Sequence, residues 1–187
     1  MTDTLQQSLH AAAANSGFLK TLAVLCANYL IVLMAAAFAG LAWLHRGRVT
    51  REFVVWVALS GAIAFLCVLV LGPTVHDPRP YIAEHYEPLA HVASDNGFPS
   101  DHTLVVSLLT GWLLWLLPSA ARGRWLPVFA LGVLAVAFGR LAIGAHHTLD
   151  VAGSILIAAL SVGLASLLRL PAPWQQPLLN LAPKQKA

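Results

Sequence analysis

Residues 53–75 read FVVWVALSGAIAFLCVLVLGPTV, and none of these side chains carries a charge. A helix rises 1.5 Å per residue, so such a run crosses a hydrocarbon core of about 30 Å, for which about 20 residues are needed. Three further charge-free runs stand at residues 21–44, 103–121 and 151–168. A fifth, residues 125–139, meets Arg140 after 15 residues and continues to residue 145 if that arginine lies at the membrane surface or faces a polar cavity. The reading is an all-α integral membrane helical bundle of about five transmembrane helices.

Composition points the same way. Apolar residues make up 58% of the 187 and charged residues 10%, against roughly 25% charged in a soluble domain. A water-soluble enzyme would lack the ionic surface to cover itself, and disorder calls for the opposite composition. The length is that of one domain, so residues 1–187 are read as a single membrane domain. Cys26 and Cys67 fall inside apolar runs, form no spaced ligand pair, and are read as packing residues. The opening MTDTLQQSLHAAAANSG lacks the basic leader of a signal peptide, so the first apolar run is read as a retained anchor. Residues 4–14 put Leu5 and Leu9 on one helical face, which suits an N-terminal helix in the membrane interface; a frayed terminus is the other reading.

Lys and Arg in short loops mark the cytoplasmic side. Arg46, Arg48 and Arg51 lie between the first two runs, Arg122 and Arg124 between the third and fourth, and Arg169, Lys184 and Lys186 after the fifth. In a five-span chain these share one face. Residues 72–101 and the turn before Asp150 then lie outside, with Arg79 and Arg140 on the side where the rule disfavours positive charge.

That outer loop, GPTVHDPRPYIAEHYEPLAHVASDNGFPSD, is longer than a connection needs, and loops of this length tend to carry function. Its prolines oppose a long helix. At its end Ser100 is placed to cap the next span, leaving unpaired N–H groups pointing outward, and such a helix start attracts anions. Farther on, GRLAIGAHHTLD sets His146 six residues after Arg140 and Asp150 four after His146. A spacing of four brings His146 and Asp150 onto one face where the chain coils. Two arginines offer forked donors for phosphate oxygens, and a His oriented by a carboxylate is a nucleophile or base. His102 supplies a second imidazole that can donate a proton. The chemistry indicated is phosphoryl transfer from an ester or anhydride.

R-P at 79 and 80, P-S-D-H at 99–102 and R-x5-H-x3-D at 140–150 resemble the three motifs of the type 2 phosphatidic acid phosphatase superfamily, with residues 72–150 as the motif-bearing core. DPRPYIAEH and HVASDNGFPSDHT resemble its bacitracin-resistance type of undecaprenyl pyrophosphate phosphatase, in which P-S-D-H replaces the commoner P-S-G-H. The resemblance implies a lipid phosphatase that returns the carrier lipid to its monophosphate. His146 is then the nucleophile that becomes phosphohistidine, Asp150 orients it, and His102 is the acid for the leaving group. Arg79, Ser100, Asp101 and Arg140 form the phosphate-binding set. It implies no cofactor and no metal, a polyprenyl pyrophosphate and the bilayer as partners with no nucleic acid, and a site on the outer face of the bacterial cytoplasmic membrane. Two positions depart from the pattern: the motif-one Lys falls at Gly72, with His76 or a backbone group as substitute, and Gly139 stands where Ser is usual.

Alternatives stay open at several residues. His147 competes with His146 for the nucleophile. Asp77, Glu84, Glu87 and Asp95 with His91 have the chemistry for a divalent cation but match no ligand spacing, and are read as a solvated loop. His10, His45 and His85 are read as capping or interface residues, and Tyr81, Tyr86 and Trp125 as interface anchors. Another lipid phosphate (phosphatidic acid, phosphatidylglycerol phosphate or lipid A) fits the same cage. A small transporter or channel subunit is the remote rival, without the mid-membrane charges or repeated halves of that class. Oligomeric state is not readable.

Overall fold

A computed structural model describes residues 3–178, so Lys184 and Lys186 lie outside the described residues. Among the described residues the chain forms eight α-helices and no strand: α1 Thr4–Ala14, α2 Gly17–Asn28, α3 Leu30–Leu44, α4 Arg51–Thr74, the single turn α5 Pro80–Ala83, α6 Asp101–Leu116, α7 Ser119–Ala142 and α8 Thr148–Ala165. Caps fix several starts: Asp3, Ser16 and Thr50 accept from the backbone N–H of Gln6, Leu19 and Phe53, each taking an N–H that has no partner inside its helix.

Three helices, α4, α7 and α8, are long and apolar enough to cross a membrane. The first predicted span is not straight. It breaks at Tyr29, and α2 and α3 meet at 47°. Each half has its own partner: the small Ala23 and Ala27 of α2 pack with Ala142, Ile143 and Ala145 at the end of α7, whereas Met34 and Leu41 of α3 join a core with Val106, Leu113 and Phe129 of α6 and α7.

The third predicted span is also corrected. It ends at Leu116 rather than residue 121, because Pro118 lacks an N–H and its fixed φ suits a fresh start. At 16 residues α6 is about 24 Å long. It sits inside the bundle, buried on several sides between α7 and α8 through residues such as Leu104, Leu108, Leu109 and Leu113. Residues 119–124 therefore open α7, and Arg122 and Arg124 are helical rather than in a loop. Leucines and valines of α4, α7 and α8 such as Leu66, Val70, Leu131, Leu134, Leu156 and Leu160 are exposed. That is the outer surface of a membrane bundle, and in water it would be an association hazard.

Helix α1 exists, but Leu5 is exposed and the face it buries is Gln6 and Ala13, with Leu9 packed alongside. Gln6 Nε2 donates to the Tyr86 hydroxyl (2.9 Å) and the Leu141 carbonyl (3.2 Å). His10 stacks on Tyr86 and its Nδ1 meets the Ala142 carbonyl at 2.9 Å. So α1 is fastened over the end of α7, and His10 is an interface residue. Tyr86 is part of that fastening, and burial pushes its hydroxyl up to about 12.

Arg48 and Arg122 donate to the carbonyls of Leu116 and Leu117. This gathers Arg48 and the Arg122 end of α7 at the end of the bundle away from Ser100.

Candidate active site

The loop between α4 and α6 is tied by Asn96. Its Nδ2 donates to the carbonyls of Gly72 (2.8 Å) and Val75 (3.0 Å), and its Oδ1 accepts from the Asp77 N–H (2.9 Å). Gly97 N–H then donates to the Asp77 carbonyl at 2.8 Å. The loop is thereby folded back on itself, so that Arg79 and Gly97 face the α7–α8 turn. In that turn Gly144 takes φ +83°, a left-handed conformation that glycine adopts without a Cβ penalty, and the chain reverses into His146.

His146 is 2% exposed and Asp150 fully buried. The imidazole Nδ1 lies 2.9 Å from the Gly97 carbonyl and 3.3 Å from Asp150 Oδ2. A carbonyl only accepts, so Nδ1 carries the proton and Nε2 presents its lone pair. Two guanidinium groups converge on that nitrogen: Arg79 Nη1 and Arg140 Nη2 each stand 3.2 Å from Nε2. Burial, then the charges of Arg140 and Arg79, hold the His146 pKa well below the usual imidazole range, with the Gly97 carbonyl and Asp101 opposing. The ring is therefore neutral at physiological pH, with the Nε2 lone pair available.

Both arginines are themselves buried. Arg79 is oriented by Asp95, whose Oδ1 accepts from Nε (3.0 Å) and Nη2 (2.7 Å), while Nη1 also donates to the Ala145 carbonyl at 2.9 Å. The Arg79 guanidinium in turn holds the Asp95 carboxyl below its ordinary range, against the opposing effect of burial. Asp95 is thus a solvated loop residue that also positions Arg79. Asp150 Oδ2 also accepts from the His147 N–H at 2.9 Å, which fixes the start of α8 and suits a negative charge at a helix N-terminus. Asp3, capping α1, reaches the same helix start: its carboxylate accepts from the Thr148 N–H and, at 2.9 Å, from the Thr148 hydroxyl.

Ser100 is fully buried at the N-cap of α6, but its hydroxyl pairs with Thr103 Oγ1 at 3.1 Å instead of capping a backbone N–H. Ser154 ties the two helices by donating to the carbonyls of Ser100 and Asp150. Asp101 is exposed and His102 half-buried in the first turn of α6, and neither side chain makes a hydrogen bond among the described residues.

The structure thus brings Arg79, Arg140, His146 and Asp150 into one hydrogen-bonded cluster, ties Ser100 to it through α8, and leaves His102 and Asp101 beside it at the start of α6. His147 points elsewhere: its Nδ1 lies 3.1 Å from Asp77. Burial and the neighbouring Asp150 charge keep the Asp77 carboxyl above its ordinary range, with His147 pulling the other way. His76 makes no bond to the His146 cluster among the described residues. Sequence reading missed Asp95, Gly97 and Asn96, although Asn-Gly is a turn signal.

The sequence profile of the PAP2 superfamily matches residues 53–173, which include every residue of this cluster. The chain belongs to the PAP2 superfamily. Curated relatives are modest in identity: undecaprenyl-diphosphatase BcrC of Bacillus subtilis (strain 168) is 28% identical over 155 residues, covering 81% of this chain and 76% of the relative. The putative undecaprenyl-diphosphatase YbjG of Escherichia coli (strain K12) is 26% identical over 149 residues, 79% of this chain and 72% of the other. Among solved structures, the crystal structure of a transmembrane PAP2 type phosphatidylglycerolphosphate phosphatase from Bacillus subtilis superposes with a TM-score of 0.60 at 22% identity, over 88% of this chain and 86% of that one. That likeness is one of fold: this PAP2 chain is a multi-pass membrane protein.

Proposed function

We propose that this PAP2 phosphatase hydrolyses the terminal phosphate of a polyprenyl pyrophosphate, undecaprenyl pyrophosphate in the first instance, on the outer face of the bacterial cytoplasmic membrane. The reading treats residues 1–187 as one membrane phosphatase domain whose chemistry lies in residues 72–150. The observation that carries it is the neutral His146, with Nδ1 held by Gly97 and Asp150 and Nε2 aimed between two buried guanidinium groups. When a phosphate enters, its oxygens take over the Arg79 and Arg140 donors, with the Asp101 N–H at the start of α6 as a further one. The Nε2 lone pair is then free. It attacks the terminal phosphorus, the bond to the bridging oxygen breaks, and His102 gives that oxygen a proton. The ring becomes positive, and Asp150 stabilises that charge. Water, deprotonated by the now neutral His102, next attacks the phosphohistidine, and inorganic phosphate leaves.

The names of the BcrC and YbjG relatives support the pyrophosphate substrate. The basic residues tied to the far end of α6 support an outward-facing site. The test is phosphate release by the purified protein from undecaprenyl pyrophosphate, phosphatidic acid and phosphatidylglycerol phosphate, each with and without EDTA. The pyrophosphate should be hydrolysed fastest and EDTA should leave the rate intact. A faster rate on either monoester names another lipid; loss of turnover on chelation, restored by Mg²⁺, overturns the metal-free mechanism.

A further inference from the structure

Behind His146, on the side of Asp150 away from the two arginines' target nitrogen, stands a second cluster, in which Asp150 meets two residues that the reaction leaves unused. Asp77, His147 and Asp150 each present one ligand atom, and the three atoms lie within 4.8 Å of one another. Asp150 spends only Oδ2 on His146 and the His147 N–H; its Oδ1, in a fully buried residue, has no hydrogen-bond partner. His147 Nδ1 is likewise buried without a hydrogen bond of good geometry, although it stands 3.1 Å from Asp77 Oδ1. Two carboxylates facing each other with an imidazole between them repel unless a proton or a metal ion joins them, and the Asp150 Oδ1 left without a partner is the atom that a metal ion would take up. The 3.1 Å edge is close to the roughly 3.3–3.5 Å between ligands of a tetrahedral ion with bonds of about 2.0–2.2 Å. A route in exists: Asp77 and His147 line a cleft of about 720 Å³ walled also by Asp3, Glu84 and His76, and these walls favour a cation.

We propose that Asp77, His147 and Asp150 form a divalent-cation site of the mixed nitrogen and oxygen type that zinc favours, and that its occupation inhibits the enzyme. An imidazole with two carboxylates suits Zn²⁺ better than Mg²⁺, which prefers oxygen and sheds water reluctantly. The inhibitory sign follows from Asp150. Phosphoryl transfer to Nε2 leaves the His146 ring positive, and Asp150 Oδ2 stabilises that charge. A cation on Oδ1 withdraws negative charge from the same carboxylate and sets its own positive charge one carboxylate away from the ring. Binding stands independently of the proposed substrate; inhibition rests on the proposed role of Asp150.

The experiment uses tag-free full-length protein, stripped with a chelator and then titrated with Co²⁺ as a spectroscopic stand-in for Zn²⁺. Wild type should bind one more equivalent than Asp77→Asn, with the intense visible absorption of a four-coordinate ion. His147→Gln, read by binding alone, is the second variant, so that misfolding of one does not decide the matter. Loss of a direct ligand should weaken the site at least by the ~10–100-fold that removal of a mere outer partner costs. In the phosphate-release assay, Zn²⁺ should slow wild type reversibly, Mg²⁺ should not, and Asp77→Asn should need at least about tenfold more Zn²⁺ for the same slowing. Equal binding by wild type and both variants, or an octahedral spectrum in wild type, overturns the site. Binding that is lost in the variants but does not slow wild type overturns the inhibition. A protein that binds Co²⁺ as expected yet releases no phosphate from any lipid refutes the proposed function and leaves the site standing.

Discussion

At the scale of single residues, the two histidines are separated by their surroundings. His146 has both ring nitrogens engaged, one by Gly97 and Asp150 and the other by two arginines. His102 is half-buried in the first turn of α6 with its ring unbonded among the described residues, which suits the role proposed for it, to release a proton and then take one. Protonation of the leaving oxygen matters most when that oxygen is a poor leaving group. His102→Ala should therefore be slow on a polyprenyl pyrophosphate and be rescued by an aryl phosphate, while His146→Ala should be inactive on both. Steady-state rates on the two substrates check this, and rescue of His146→Ala instead would reverse the roles. The motif residues were legible because their spacing along the chain is fixed by chemistry. Asp95 was not: an exposed acid in a loop carries no periodicity, and only folding shows that it holds Arg79. The choice between His146 and His147 was likewise open until the turn aimed one ring at the arginines and the other at Asp77.

At the scale of helices, the site depends on how closely α2 approaches α7. A Cβ built on Gly139 would lie 2.5 Å from the Ala27 nitrogen and 2.8 Å from the Ala23 carbonyl oxygen. These are backbone atoms and cannot swing aside. Gly139 therefore admits α2 against the end of α7 that carries Arg140, which gives the departure from the usual Ser a packing reason. Gly139→Ser, though it restores the family's common residue, should cost about 1–3 kcal/mol of stability by overpacking and lower activity through Arg140. Thermal unfolding in detergent reads the first effect, and an unchanged midpoint would refute the close crossing. Apolar runs announced the spans well, since lipid demands length and hydrophobicity. They could not announce the bend at Tyr29 or the short α6, because both follow from which neighbour each segment packs on. Nor could composition show that α1 buries Gln6 rather than Leu5, since the partner of Gln6 is Tyr86, eighty residues away.

At the scale of the whole molecule, the chain is a helical membrane bundle with the His146 cluster at one end and Arg48 and Arg122 tied to the other. By the positive-inside rule the two ends should face opposite compartments. Cysteines placed at Glu87 and Arg122 in a background lacking Cys26 and Cys67 should label differently with a membrane-impermeant thiol reagent on intact cells: position 87 reacts and position 122 does not. Labelling at 122 alone would invert the orientation and put the site in the cytoplasm. The central claim, that the neutral His146 attacks phosphorus, is tested most directly by rapid acid-free quenching of the purified protein with terminally radiolabelled undecaprenyl pyrophosphate, followed by mapping of the labelled peptide. The account predicts a base-stable, acid-labile phosphoramidate on His146 that His146→Ala abolishes. Label on His147, or turnover by His146→Ala at the wild-type rate, would contradict it.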